Sequence, residues 1–206
     1  MLERTQERSW LSWLGGKTGT QLHGAQKALA QWAIVDDYNA ILDMRCSDVA
    51  LLRYLSQKFS LRACGIVDSA QQARALQDDM PDAEIFCARK EDIPWRDKCF
   101  DAVFYHMDKS EGEDCGFLKE AIRVLKPNGQ LLIAVHGLPE ILCGAAEMAG
   151  VGDMEGHLKP HSLLKEMENV SFSDVSYRLS MPFVGIAMGW KRNEGGSNGN
   201  GEKYTI

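Results

Sequence analysis

No stretch of the 206 residues approaches the ~20 consecutive apolar residues that a membrane span requires. The first 30 residues carry Glu3, Arg4, Glu7 and Arg8 where a secretory signal would need an apolar core, so the expectation is a cytoplasmic protein without a membrane span. Basic residues are in deficit: 23 Lys+Arg against 29 Asp+Glu leave a formal net charge of −6. That is the wrong sign for a surface that neutralises many phosphates, and nucleic acid is not the expected partner. The six cysteines form no C-x-x-C pair and no zinc-finger spacing with histidine, so they read mostly as small buried hydrophobes. His157 and His161 flank Lys159-Pro160 with no carboxylate or Cys at a supportive spacing, and no metal is expected. No G-x-G-x-x-G follows the first predicted strand, which sets aside nicotinamide dinucleotide chemistry.

What is present is an ordinary globular composition, 45% apolar and 25% charged. Residues 1–36 read as an N-terminal helical cap, broken by Gly15, Gly16 and Gly19, with Trp10, Trp13 and Trp32 docking it or forming a lid. Residues 193–206 are Gly/Asn/Ser-rich and read as a flexible tail. Between them, residues 37–192 alternate strand and helix. AILDM, LRACGIVD, AEIFCA, FDAVFYHM and QLLIAV are apolar runs of strand length. VALLRYLSQK, AQQARALQDDM, GFLKEAIRVL, PEILCGAAEMAG and SLLKEMENV have helical spacing, with Pro127-Asn128-Gly129 stopping the third. SDVSYRLSM and VGIAMGWK, separated by a turn at Pro182, predict an antiparallel hairpin at one edge. The fold class is therefore α/β, a doubly wound and mostly parallel sheet. Ligands of such sheets bind beyond the carboxyl ends of the strands, which directs attention to Asp43 and residues 45–48, Asp68, the 88–95 loop, Tyr105, His106 and His136.

KEDIPWRDKCFDAVFYHM and FLKEAIRVLKPNGQLLIA stand in the order and spacing of the segments E-D-L-P-F-x-D-x-S-F-D-x-V and L-x-E-x-x-R-V-L-K-P-G-G-x-L-L-I. Through them the chain resembles the class I S-adenosylmethionine-dependent methyltransferases, of the small-molecule type that includes the ubiquinone/menaquinone biosynthesis enzymes. The resemblance spans about residues 38–191. It implies a Rossmann-like fold, S-adenosylmethionine as methyl donor or S-adenosylhomocysteine as ligand, and a small-molecule acceptor. GIVDS matches the family's second-strand motif, so Asp68, followed by Ser69, takes the acid that accepts from both ribose hydroxyls.

The first motif departs from the family. LDMRCSDV keeps Asp43 and Cys46, but Arg45, Ser47 and Val49 replace three glycines whose amides approach the methionine end of the cofactor. A side chain where glycine supplies φ > 0 brings strain or fills space. On the adenine side, Arg89 and Lys90 precede Glu91 where the family has an acid. A guanidinium at Arg45 ~6 Å from a sulfonium would repel it by roughly 3 kcal/mol at an effective dielectric of ~20, or it could turn to grip the amino acid carboxylate. Tyr105 and His106 fall where acceptor and methyl group meet in the family. His106 is the candidate base if one is used, although in-line displacement depends more on alignment than on proton transfer. Two readings stand: an active methyltransferase, or a catalytically inactive methyltransferase-like protein that binds S-adenosylhomocysteine, another nucleotide or a partner protein.

Overall fold

The computed structural model describes residues 22, 24–107, 115–136, 160–181 and 184–193. The elements are α1 (Gly24–Trp32), β1 (Ala40–Asp43), α2 (Ala50–Ser56), β2 (Arg62–Val67), α3 (Ala70–Asp79), β3 (Glu84–Cys87), β4 (Phe100–Met107), α4 (Phe117–Val124), β5 (Leu125–His136), α5 (Pro160–Asn169), β6 (Phe172–Met181) and β7 (Val184–Lys191). The seven strands form one sheet in the order β3-β2-β1-β4-β5-β7-β6. β3 to β5 pair in parallel with their neighbours, while β7 runs antiparallel to both β5 and β6. The doubly wound sheet with its terminal hairpin is thus as the alternation of strand and helix predicts. The helix expected in PEILCGAAEMAG, the turn at Pro182, Trp10, Trp13 and the 194–206 tail lie outside the described residues. Among the described residues, no helix is long and apolar enough to cross a membrane.

Strand residues alternate between two cores because successive side chains leave opposite faces of a sheet. On one face Ile41, Ala63, Phe104, Leu132 and Ile186 meet Leu29, Leu51, Leu52 and Leu55 of α1 and α2. On the other, Leu42, Cys64, Val103, Leu131 and Ala187 meet Phe117, Leu118 and Val124 of α4 and Leu163 and Met167 of α5. Burial on both sides explains why these strands read as continuous apolar runs. α1 belongs to the first core and Trp32 packs against it, with the Arg178 guanidinium 5.3 Å from the ring. The docking role expected of that tryptophan is what the structure gives it.

Two details depart from the sequence reading. Pro127-Asn128-Gly129 does not separate α4 from the next strand; β5 begins at Leu125, already paired with Phe100, and the pairing resumes at Ala102 with Gln130. Asn128 takes φ 62°, and Gly129 sits so close to the Phe100 and Lys126 carbonyls that a Cβ there would come within 3.1 and 2.9 Å of them. The bulge therefore needs its glycine. Among the cysteines, Cys46 and Cys64 are buried as expected, whereas Cys87 is exposed on β3, and Cys99 and Cys115 are half-buried.

Gly185 on β7 lies beneath the ring of Tyr177 from β6, and an added Cβ would overlap that ring. Gly185→Ala should cost about 1–3 kcal/mol, the usual penalty for overfilling a packed site. Urea denaturation checks this, with Tyr177→Leu in the same chain expected to recover part of the loss.

Candidate active site

The strand order reverses between β1 and β4: the chain winds from β1 outward through β2 to β3, then returns to build β4 and β5 on the other side. A crevice must open beyond the carboxyl ends of the two strands flanking such a reversal. There the structure gathers Met44, Arg45, Asp68, Arg89, Lys90, Glu91 and Tyr105 around a cleft of about 180 Å³. These residues come from four segments far apart in sequence, and what they share is a place at or just beyond the carboxyl end of a strand. Residues 108–114 and 137–159, which follow the carboxyl ends of β4 and β5, lie outside the described residues.

Asp43 closes β1 with its side chain almost fully buried, and its Oδ1 accepts from the Arg45 amide at 3.0 Å. Burial pushes its carboxyl up from 3.8 to about 7, with the Arg45 amide pulling down and Asp48 adding to the rise. Asp43 holds the first loop, and the start of α2 is served by Asp48, whose Oδ1 accepts from Ala50 N at 2.8 Å and from Gln26 Nε2 at 2.7 Å.

The glycine-free loop is not strained. None of Arg45, Ser47 and Val49 is among the positive-φ residues, which corrects the expectation of strain at these positions. The loop instead takes a path whose amides bond within the protein: Arg45 N to Asp43 Oδ1, Cys46 N to Ile66 O at 3.0 Å and Ser47 N to Arg45 O at 2.9 Å. Cys46 is buried against Gly65, its Sγ directed to the Asp48 carbonyl at 3.2 Å, and burial raises its thiol far above the usual range. It packs and does not face the cleft. Ser47 is exposed, and its carbonyl accepts from Gln72 Nε2 at 3.3 Å. Of this loop, Met44 and Arg45 alone line the cleft.

Asp68 follows β2 with its carboxylate exposed to the cleft, while Ser69 caps α3, its Oγ accepting from Gln72 N at 3.1 Å. Arg89 is exposed, its Nε 3.6 Å from Glu91 Oε2. Lys90 donates from Nζ to the Tyr105 hydroxyl at 3.1 Å, and Tyr105 stacks on Phe117 of α4 with ring centroids 4.0 Å apart. Tyr105 is fully buried, its hydroxyl held by Lys90 at the cleft floor.

Tyr105 and His106 do not act as a pair. They are consecutive on β4, so Tyr105 enters the α4 core and lines the cleft, whereas His106 leaves the opposite face and does not. The joint substrate-facing role expected of the two is corrected by this alternation. His136 ends β5 opposite Val184, and His161 is exposed on α5.

Sequence reading does not show what holds the chain that follows the Arg89–Glu91 wall. Arg123 of α4 donates from Nη1 to Trp95 O at 2.8 Å and from Nη2 to Ile93 O at 3.1 Å, and is itself held by Glu120 at 2.7 Å. Glu120 Oε2 also accepts from Ile93 N at 3.0 Å. This clamp fixes the chain that leaves the Arg89–Glu91 segment. Its signal was the i,i+3 spacing of Glu120 and Arg123, which reads first as an ordinary helix-surface pair.

Comparison with known proteins places these features. Residues 42–133 match the methyltransferase domain family. No curated protein sequence is significantly similar. Among solved structures, the complex between the Haloferax volcanii Trm112 methyltransferase activator and a putative methyltransferase aligns with a TM-score of 0.65 at 14% identity, over 82% of this chain and 89% of that one. The [4+2]-cyclase SpnF aligns with a TM-score of 0.65 at 15% identity, over 81% and 79%. Human N-acetylserotonin methyltransferase in complex with S-adenosylmethionine aligns with a TM-score of 0.63 at 12% identity, over 82% and 52%. Identities this low speak for the fold alone, and one of the three bears the name of a cyclase. Residues 42–133 are thus similar to the methyltransferase domain family, on a sheet whose fold is shared with these structures.

Proposed function

We propose that this protein is an S-adenosylmethionine-dependent methyltransferase acting on a small-molecule acceptor. The observation that carries the reading is the convergence of Arg45, Asp68, Lys90, Glu91 and Tyr105 on one cleft beyond β1, β2 and β4. The donor set suits the cofactor: an exposed carboxylate at Asp68 for the ribose hydroxyls, a guanidinium at Arg45 for the amino acid carboxylate, and the 89–91 segment for the adenine. When bound, S-adenosylmethionine supplies a methyl group on a sulfonium, an electrophile that needs an aligned nucleophile more than a base. Arg45 replaces with a side chain what loop amides would do, since those of residues 45–47 are engaged elsewhere. Tyr105, anchored by Lys90 and Phe117, gives the acceptor a rigid wall. Asp43 supports the loop from below.

A second reading has its own observation. The same engaged amides and the cationic Arg45 favour a neutral thioether over a sulfonium, which suits a catalytically inactive protein that binds S-adenosylhomocysteine or a partner. The fold hosts other chemistry without difficulty.

Calorimetric titration with S-adenosylmethionine and S-adenosylhomocysteine separates the readings. Both should bind, and Asp68→Ala should weaken both by about 100-fold, because two charge-assisted hydrogen bonds are lost. Asp68 is exposed, so the variant should melt like the parent. Arg45→Ala should weaken both ligands equally if the guanidinium grips the carboxylate. Binding of the thioether alone, with Arg45→Ala restoring the sulfonium, establishes the second reading. Failure of both ligands at millimolar concentration removes the first reading and leaves of the second only the binding of a partner.

A further inference from the structure

A second cavity, of about 490 Å³, lies at the opposite edge of the sheet from the candidate active site. Its wall comes from the start of β2 (Arg62), the loop entering β4 (Trp95, Arg96, Lys98 and Cys99) and the start of β5 (Lys126). Four of these side chains are cationic and no acid is among the lining residues, in a chain whose net charge is −6. We propose that this cavity binds a small phosphorylated anion. The inference does not depend on the methyltransferase reading.

The nearby acids are already committed. Glu84 takes a two-pronged bond from Arg62 at 2.7 and 2.6 Å. Asp101 Oδ2 accepts from Lys126 at 2.7 Å and from the Ala40 amide at 2.8 Å. Asp97 pairs with Arg123 at 2.8 Å. Arg96 is exposed and, among the described residues, makes no ion pair or side-chain hydrogen bond, so its fork is available to a ligand. Lys126 Nζ retains donors beyond the one given to Asp101, since an ammonium has three.

Arg62 and Lys126 share their charge with Glu84 and Asp101, which leaves the Arg96 fork as the main contact for the ligand, and a phosphate, with about −1.5 to −2 at pH 7, suits the fork of arginine. The cavity falls within the ~300–1,000 Å³ of small-molecule sites, large enough for more than the anion itself. Trp95 adds an apolar wall, held at right angles by Phe86 and Phe100 with ring centroids at 5.3 and 5.4 Å. The loop is preorganised: Arg123 and Glu120 pin Ile93 and Trp95, Lys98 N donates to Arg123 O at 3.1 Å and Cys99 N to Val124 O at 2.7 Å. With its main chain held in this way, the loop loses little backbone freedom on binding.

The test is calorimetric titration of the full chain with pyrophosphate at low ionic strength. One-to-one binding is expected, weakened at least about tenfold in Arg96→Glu, with Arg74→Glu on α3 and Arg89→Glu at the active-site cleft unchanged. Among the described residues the Arg96 side chain has no partner to lose, so its variant should melt like the parent. No binding, equal weakening in Arg74→Glu, or loss in Arg89→Glu with Arg96→Glu unaffected would each overturn the proposal. Tighter binding of a single-stranded oligonucleotide than of pyrophosphate, lost in Arg96→Glu, would overturn the small-molecule ligand in favour of nucleic acid.

Discussion

Asp43→Asn should make the protein more stable above neutral pH and should abolish most of the pH dependence of its stability between pH 4 and 7. The buried carboxyl is raised from 3.8 to about 7, so the native state holds a proton that the unfolded chain releases. Its contribution is fully present below pH 3.8 and is lost as pH rises through 7. Over that window the loss amounts to roughly 4 kcal/mol, at about 1.36 kcal/mol per pH unit. Asparagine keeps an acceptor for the Arg45 amide but adds an NH₂ that lacks an assured partner, which costs about 1–3 kcal/mol. The net gain at pH 8 is then about 1–3 kcal/mol. Urea unfolding at pH 4.5, 6 and 8 measures it: the parent should lose stability across the series and the variant should stay nearly flat. A parent with equal stability at all three, or a variant with the parental slope, overturns the assignment. A carboxyl kept buried at this cost marks a place where stability has been subordinated to the site, and the same variant should bind S-adenosylhomocysteine more weakly if Asp43 fixes the loop beside the ligand.

The sheet was legible because its information is local. Apolar runs in β1, β2, β4 and β5 are long enough to be strands and bounded by helices of clear period, and a parallel doubly wound sheet is then the only economical arrangement. The ends of those strands name the cleft, which is why the sequence alone points to Arg45, Asp68, Lys90 and Tyr105 as neighbours, and all four line it. What the sequence could not carry is orientation and path. Tyr105 and His106 are adjacent letters on opposite faces, and only the register of β4 against β1 and β5 decides which one meets the cleft. The fate of Arg45, Ser47 and Val49 was misjudged for a related reason. The penalty for replacing glycine belongs to a backbone path, and this loop follows another path, with negative φ and internally bonded amides. Glu120 and Arg123 show the opposite failure: their spacing was visible, but their partners, the Ile93 and Trp95 main chain, are brought beside them only by the fold.

Lys191→Met is expected to lower stability by about 2–4 kcal/mol, more than any exposed lysine substitution, because the Ile122 and Leu125 carbonyls lose this donor together, while Arg123 O keeps the Lys98 amide. Lys191 ends β7 as an apolar strand gives way to the polar tail, a position where a lysine ordinarily reaches for water. In the structure it is 8% exposed. Its Nζ donates to Ile122 O at 2.6 Å, Leu125 O at 2.8 Å and Arg123 O at 3.4 Å. These are carbonyls at the end of α4, where the helix presents its negative pole and its last acceptors have no intrahelical partner. Methionine fills the volume of the stem and removes only the ammonium, so packing is spared as a confounding change. A loss of this size lowers the melting temperature by roughly 5–15 °C for a chain of this length, against little change for Lys165→Met on the exposed side of α5. Equal melting of the two variants would show that the carbonyls find other donors. Because Arg123 stands in the same turn, the Lys191 variant should also loosen the loop that Arg123 clamps. Hydrogen exchange at the Ile93 amide should quicken with it, and pyrophosphate binding at Arg96 should weaken in step if the basic cavity depends on that clamp.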